Sequence, residues 1–459
     1  MRATLHRPVA LPLALAVVAA LPLISLAQEA PASELGARRE QLMERLADGI
    51  VLLHARSLAK AEDQPGFLQD ASFFYFTGLS VQPAAILALD GERREMLLFV
   101  PPAPMSFGQP VDGLGPSPGP SSARKLGLTA VQPWDQFQPW LQERLEASPV
   151  KLYVDAPRRA EATGTPEPLL AVAGDLGLWR QALRQAFPDA VIESALPVLR
   201  EMRWVKSPSE IAALRANAIA TVAALHAAAA RIEPGIRQRQ VEATVIAACI
   251  EAGAQGPSFW PWAMSGPNAR VDNLVRAFYS YEHLDRTLLA GELVRVDIGC
   301  RGHGYGADVG RTIPVDGEFS APQAETWELL TSAYLAGLEA MRADTTVSAV
   351  RAASRARVRE LTPALRTDTA RRAAELLDSD SAWHLHGVGI ESGEEALPIL
   401  RAGTVLAYEP MVTVGADAFY LEDMILVTET GHEVLSAGLP YSANKIGALV
   451  SSGSSGSER

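Results

Sequence analysis

Cysteine is nearly absent: Cys249 and Cys300 are the only two in 459 residues. Two thiols cannot build a disulfide framework. Cys249 also falls in the alanine-rich helical pattern VEATVIAACIEAG. Both are therefore expected to be small buried side chains, neither a bridge nor a nucleophile. A basic excess is missing too, with 41 Lys and Arg against 53 Asp and Glu, a formal net charge of −12. No run of basic residues interleaved with aromatics occurs, which argues against a nucleic-acid partner. Long apolar runs are confined to the first residues, so no later segment is expected to span a bilayer. At the N-terminus Arg2 and Arg7 precede a short apolar core at 10–21, Pro22 breaks it, and Ser25-Leu26-Ala27 follows as a small-residue site. This reads as a secretory signal over 1–27, with neither paired arginines nor a cysteine for lipidation. The mature chain is expected in the periplasm or outside the cell, with no membrane contact after cleavage.

What is present is ample apolar content, 48% of the chain, in a length that suits two domains. ELGARREQLMERLADGIVLLHA reads as an amphipathic helix entering a strand, and helical and strand patterns alternate onward. That alternation predicts an α/β domain over 35–199. A boundary follows at KSPSEIAAL, where Ser207, Pro208 and Glu210 make a capping box at a helix start. Over 202–442 helices alternate with strands that read as antiparallel hairpins, an α+β domain. The end, 443–459, is low in complexity and expected to be flexible.

The stretch VDIGCRGHGYGAD, 296–308, carries an aspartate near each end. A two-residue type II′ turn at Gly302-His303 would set Asp297 and Asp308 directly opposite each other on one face. A second hairpin, YEPMVTVGADAFYLED, turns at Gly415-Ala416 and sets Glu409 opposite Glu422. Like charges facing each other are destabilising. Two such pairs on apolar strands, sharing one buried site, must bind metal or take up protons. His386, in the glycine-rich HLHGVGIESGEE, is a further available ligand. An oxygen-rich site with one imidazole and no thiolate suits Mn²⁺ or another hard to borderline divalent ion.

The order VDIG, ADVGRTIPVDGEFS, HGVG, YEP, LEDMILVTETG resembles the pita-bread metallopeptidases, the M24 group of aminopeptidase P, prolidase and methionine aminopeptidase. SGPNA at 265–269 and MRWVKSPSEI fit the same group. FLQDASFFYFTGL looks like the creatinase-like N-terminal domain that accompanies aminopeptidase P and prolidase. The resemblance spans nearly the whole mature chain. It implies a creatinase-like α/β domain followed by a pita-bread catalytic domain with an antiparallel sheet. It also implies a dinuclear centre: Asp308 and Glu422 would bridge two ions, Asp297 would hold one, and His386 with Glu409 the other. Mn²⁺ would come first, with Zn²⁺ and Co²⁺ as alternatives. Glu409 would relay protons during hydrolysis of a peptide bond next to a free N-terminus, typically one whose nitrogen belongs to proline. Relatives of this kind assemble as dimers or tetramers, so a homo-oligomer is expected.

The chain departs from the family pattern around the metals. Gly393 stands where a histidine normally follows the ligand His386, and Ala382 stands where aminopeptidase P has one before it. His384, two residues before the ligand, is a candidate substitute. Ser280 occupies the place of the first substrate-facing histidine, with His283 three residues later as the other candidate. Tyr420 replaces the arginine usual two residues before the second glutamate. The sequence therefore supports a metal-dependent aminopeptidase. It leaves two alternatives, a catalytically weak peptide-binding homologue and an amide hydrolase of altered specificity. A metal-free creatinase-like hydrolase fits less well, because it would not need all five ligands.

Overall fold

The computed structural model of the chain describes residues 30–56, 68–103, 105–111, 113–155, 175–270, 276 and 285–454. The secretory signal expected at 1–27 and the candidate His283 lie outside the described residues.

The first half is an α/β domain. Helix Ala32–Arg45 leads into β1 (Gly49–His54), as the amphipathic pattern requires. Its neighbours are β2 (Ile86–Asp90), β3 (Glu95–Val100), β4 (Ala130–Pro133), β5 (Lys151–Val154) and β6 (Ile192–Ser194). They form one sheet in the order β4-β3-β2-β1-β5-β6. The β1–β2 and β2–β3 pairs are antiparallel and the outer three parallel. Both faces are covered. Val51 and Leu53 join the main core, while Ile50 and Leu52 join a second cluster on the opposite side. That double burial explains why the strand reads as an unbroken apolar run with no alternation.

Helix Leu196–Trp204 bridges the two halves, so the boundary expected between 199 and 202 falls inside it. Met202 accepts from the Tyr75 hydroxyl on one side, and the Trp204 indole donates to Ile399 O on the other, both at 2.9 Å. Helix Pro208–Arg231 then starts on the expected capping box of Ser207 and Glu210. Contrary to the expectation from hydropathy, this 24-residue helix is long and apolar enough to cross a membrane by length and composition. Its Ala213, Leu214, Ala218 and Leu225 are buried in the main core, which accounts for the apolar composition.

The second half carries β7 (Trp262–Ser265), β8 (Leu293–Ile298), β9 (Val309–Pro314), β10 (Trp383–Gly387), β11 (Val405–Val414), β12 (Asp417–Val427) and β13 (His432–Val434). Their order is β7-β8-β9-β12-β11-β10, with β13 on β12, and every pairing is antiparallel. This is the expected α+β domain with an antiparallel sheet.

Two further expectations fail. Cys249 and Cys300 form a disulfide, joining helix Gln238–Glu251 to the hairpin that carries Asp297. Each lies in its own local pattern, and the fold brings their Cα atoms to 5.4 Å. The C-terminal stretch is also not flexible from 443, because Ala443–Ser454 forms a helix with Ile446 fully buried.

Candidate metal centre

The cross-strand register places the acidic residues in one line across the sheet. Trp262 on β7 faces Asp297 on β8, Asp297 faces Gly310 on β9, and Gly310 faces Glu422 on β12. Between β12 and β11 the flanking pairs Tyr408↔Asp423 and Met411↔Tyr420 set Glu409 opposite Glu422, as the sequence predicted. Glu409 in turn faces His384 on β10. Residues in one cross-strand row share a face, so Asp297, Glu422 and Glu409 converge without help from any loop.

The first hairpin differs in detail from expectation. Its turn is His303-Gly304, with Gly302 and Tyr305 exchanging both backbone hydrogen bonds. Both central residues have positive φ, 54° and 81°, the type I′ geometry in place of II′. The register consequently moves by two residues, and Asp297 faces Gly310 where Asp308 had been expected. A two-residue shift preserves side-chain parity. Asp308, just before β9, remains on the metal face with His386 and Glu422. Gly310 must be glycine, since a Cβ there would lie 2.1 Å from the Tyr420 ring.

His386 stands at the centre of the group. Its Nε2 lies 3.3 Å from Glu409 Oε1, 3.7 Å from Asp308 Oδ2 and 3.8 Å from Glu422 Oε1. Its Nδ1 is 3.1 Å from Gly387 O, and a proton held there leaves Nε2 free to act as a ligand. The Tyr420 hydroxyl contacts Glu422 Oε2 at 2.7 Å and Glu409 Oε2 at 2.9 Å. His384, exposed to solvent, pairs through Nδ1 with Glu409 Oε1.

Donors are scarce for so many acceptors. Asp308 Oδ1 and Glu422 Oε1 are buried with no hydrogen-bond partner. Burial, and then the neighbouring carboxylates, push Asp308 and Glu422 well above the usual carboxylate range. Burial raises Asp297 to about 6, with the Arg295 charge pulling the other way and Glu409 adding to the rise. Burial also works against ionised Glu409, but hydrogen bonds from His384 and His386 hold it below its ordinary value. For His386 burial works against the charge, and the Glu409 hydrogen bond and Asp308 charge outweigh it, raising the imidazole to about 9. Such a group either takes up protons or binds cations. Orphaned carboxylate oxygens around one oriented imidazole fit divalent metal, and the oxygen-rich donor set suits a hard to borderline ion.

Trp262 ends the row as part of a small apolar cluster with Phe259 and Met264. Glu391, Glu394 and Glu395 are ion-paired with arginines of helix Leu196–Trp204, so they are not a free acidic face. Glu394 also binds Lys206 at 2.8 Å and exchanges backbone hydrogen bonds with Gly387, pinning the loop after His386. Arg295 was not singled out in the sequence. The signal was available: a lone arginine in LVRVDIG at the same parity as Asp297.

Comparison with known proteins gives two family matches. Residues 212–429 match metallopeptidase family M24, and residues 36–153 match the aminopeptidase P N-terminal domain. Among individual proteins, the chain is 27% identical to the Xaa-Pro aminopeptidase of Escherichia coli K12, across 90% of this chain and 96% of that one. It is 24% identical to the mitochondrial intermediate cleaving peptidase 55 of Arabidopsis thaliana, across 90% and 83%. Among solved structures, E. coli aminopeptidase P with the inhibitor Pro-Leu superposes with a TM-score of 0.72 at 24% identity, covering 93% of this chain and all of that one. Proline aminopeptidase P II from Yersinia pestis gives 0.71 at 24%, covering 92% and 100%. These structures share the fold.

Proposed function

The chain belongs to metallopeptidase family M24, and from that premise we propose that it is an exported Xaa-Pro-type aminopeptidase with a two-metal centre. Its substrates are peptides with a free N-terminus. The observation that carries this reading is the single cross-strand row of Asp297, Glu422 and Glu409, joined by Asp308 and His386, with buried carboxylate oxygens left unpartnered. By the family resemblance Asp297, Asp308, His386, Glu409 and Glu422 would hold the ions, with Asp308 and Glu422 shared by both, Asp297 serving one, and His386 with Glu409 the other. Mn²⁺ is the ion proposed first, with Zn²⁺ or Co²⁺ as alternatives. Two such ions acidify a water and polarise the scissile carbonyl. The chain's own part is to move protons and exclude competitors. Glu409 is placed to take up a proton and give it back, while His384, paired through Nδ1 with Glu409 Oε1, holds that carboxylate in place. His283 is the other proposed substrate-facing group.

Export is proposed from the N-terminal pattern, and the Cys249–Cys300 disulfide fits an oxidising compartment. A dimer or tetramer is proposed from the family resemblance.

A panel of peptides tests the activity. The reconstituted protein is expected to release the first residue from free peptides with proline second, and to leave N-acetylated versions intact. Cleavage of the blocked peptides, or of none, would defeat the proposal. The second reading, a weak peptide-binding homologue, draws support from Tyr420, Ala382 and Gly393 standing where charged or imidazole groups are expected. Binding of the free peptides without turnover would favour it.

A further inference from the structure

Arg295 sits on β8 two residues before Asp297 and has no part in the proton path above. Its side chain is only 1% exposed. A guanidinium stays charged in any protein environment, and a buried charge without a partner is costly. Yet its hydrogen-bond contacts are two thioethers, Nη1 to Met411 Sδ at 3.4 Å and Nη2 to Met264 Sδ at 3.6 Å. Thioether sulfur accepts weakly, and Arg295 Nε has no partner.

The register explains how the cation is held there. Met264 faces Arg295, Arg295 faces Thr312, and Tyr420 faces Met411. The Tyr420 amide donates to Thr312 Oγ1 at 2.8 Å, which closes a second row beside the carboxylate row. Within it the guanidinium carbon lies 5.7 Å from the Tyr420 ring centroid. The same ring reaches across Gly310 and gives its hydroxyl to Glu409 and Glu422. A cation against the ring restrains it, and the restrained ring fixes where its hydroxyl stands.

We propose that Arg295 and Tyr420 form one positioning unit for the metal centre, the guanidinium seating the phenol ring and the phenol hydroxyl setting the spacing of Glu409 and Glu422. The inference rests on the row being a metal centre.

The test is a double-mutant cycle read as metal affinity, not activity. Full-length wild type, Arg295→Met, Tyr420→Phe and the double variant are stripped with chelator and titrated with Mn²⁺ by calorimetry. Circular dichroism confirms that each is folded. Each single change is expected to weaken binding by about ten- to a hundred-fold, the usual effect of losing an outer partner of a ligand. The double variant is expected to bind no worse than the weaker single, since both changes remove one unit. Unchanged affinity in Arg295→Met, or losses that multiply in the double variant, would overturn the proposal. If Arg295→Met does not fold, Arg295→Lys keeps the charge and loses the planar face. It is then expected to bind more weakly than wild type, with no further loss on adding Tyr420→Phe; wild-type affinity in Arg295→Lys or a further loss would again overturn it. Wild type that takes up no Mn²⁺, Zn²⁺ or Co²⁺ would sink the metal reading itself, a result distinct from either failure of the unit.

Discussion

At the scale of single residues, the centre is governed by how few protons face many carboxylate oxygens. Asp297 is raised to about 6 chiefly by burial, against roughly 3.9 for an unfolded aspartate. Between those values the folded, metal-free protein holds more protons than the unfolded chain, so its stability falls as pH rises through that window. We therefore expect chelator-treated protein to be more resistant to urea at pH 4.5 than at pH 6.5. Asp297→Asn should flatten part of that slope, and an unchanged slope would count against the assignment. Asp297, Asp308, His386, Glu409 and Glu422 could be named from sequence because each sits in a short motif of fixed order. Arg295 shows in the sequence only as a lone arginine at the same parity as Asp297, a signal that gains meaning once its neighbours across the sheet are known. The cysteine pair escaped for a similar reason, as each thiol looked like an ordinary buried residue in its own stretch.

At the scale of elements, alternation along the strands foretold which face each acid would occupy, and parity preserved that face when the first hairpin shifted register. Turn type was less legible. GHG allows either a glycine-first or a glycine-second turn, and packing of Phe74 against Gly304 accompanies the second. The loop after His386 is glycine-rich, a composition that suggests freedom. It is in fact clamped, with Glu394 accepting from Lys206 and Arg203 in a buried setting. Burial opposes the charge on Glu394, but the two cations outweigh it and hold its carboxyl at about 2. Removing one partner of a buried ion pair typically costs about 3–5 kcal/mol. Glu394→Ala is expected to lose stability of that order in equilibrium unfolding at neutral pH. The sign with pH follows from the depressed value: the contribution is full above the unfolded carboxyl's titration near 4.5 and is lost as pH falls towards about 2. The difference between wild type and variant should therefore shrink in acid. A difference that stays constant from pH 7 to pH 3 would contradict the clamp.

At the scale of the whole molecule, two domains were legible from the alternation of patterns and from the capping box at Ser207. The junction was less so, because helix Leu196–Trp204 belongs to both halves. The disulfide closes a separation of 51 residues between helix Gln238–Glu251 and the metal hairpin. A loop of that length corresponds to about 4 kcal/mol on the chain-entropy account. Replacing both cysteines with alanine should lower the unfolding free energy by about 2–4 kcal/mol, read from denaturant midpoints, and a loss below about 0.5 kcal/mol would show that the bond does little. The carboxylate row is proposed to hold two metal ions. The most direct measurement is metal stoichiometry after chelator stripping and Mn²⁺ titration, in wild type and in Asp308→Ala. Two equivalents are expected in wild type and fewer in the folded variant. No saturable binding in wild type, or two equivalents in both proteins, would contradict it.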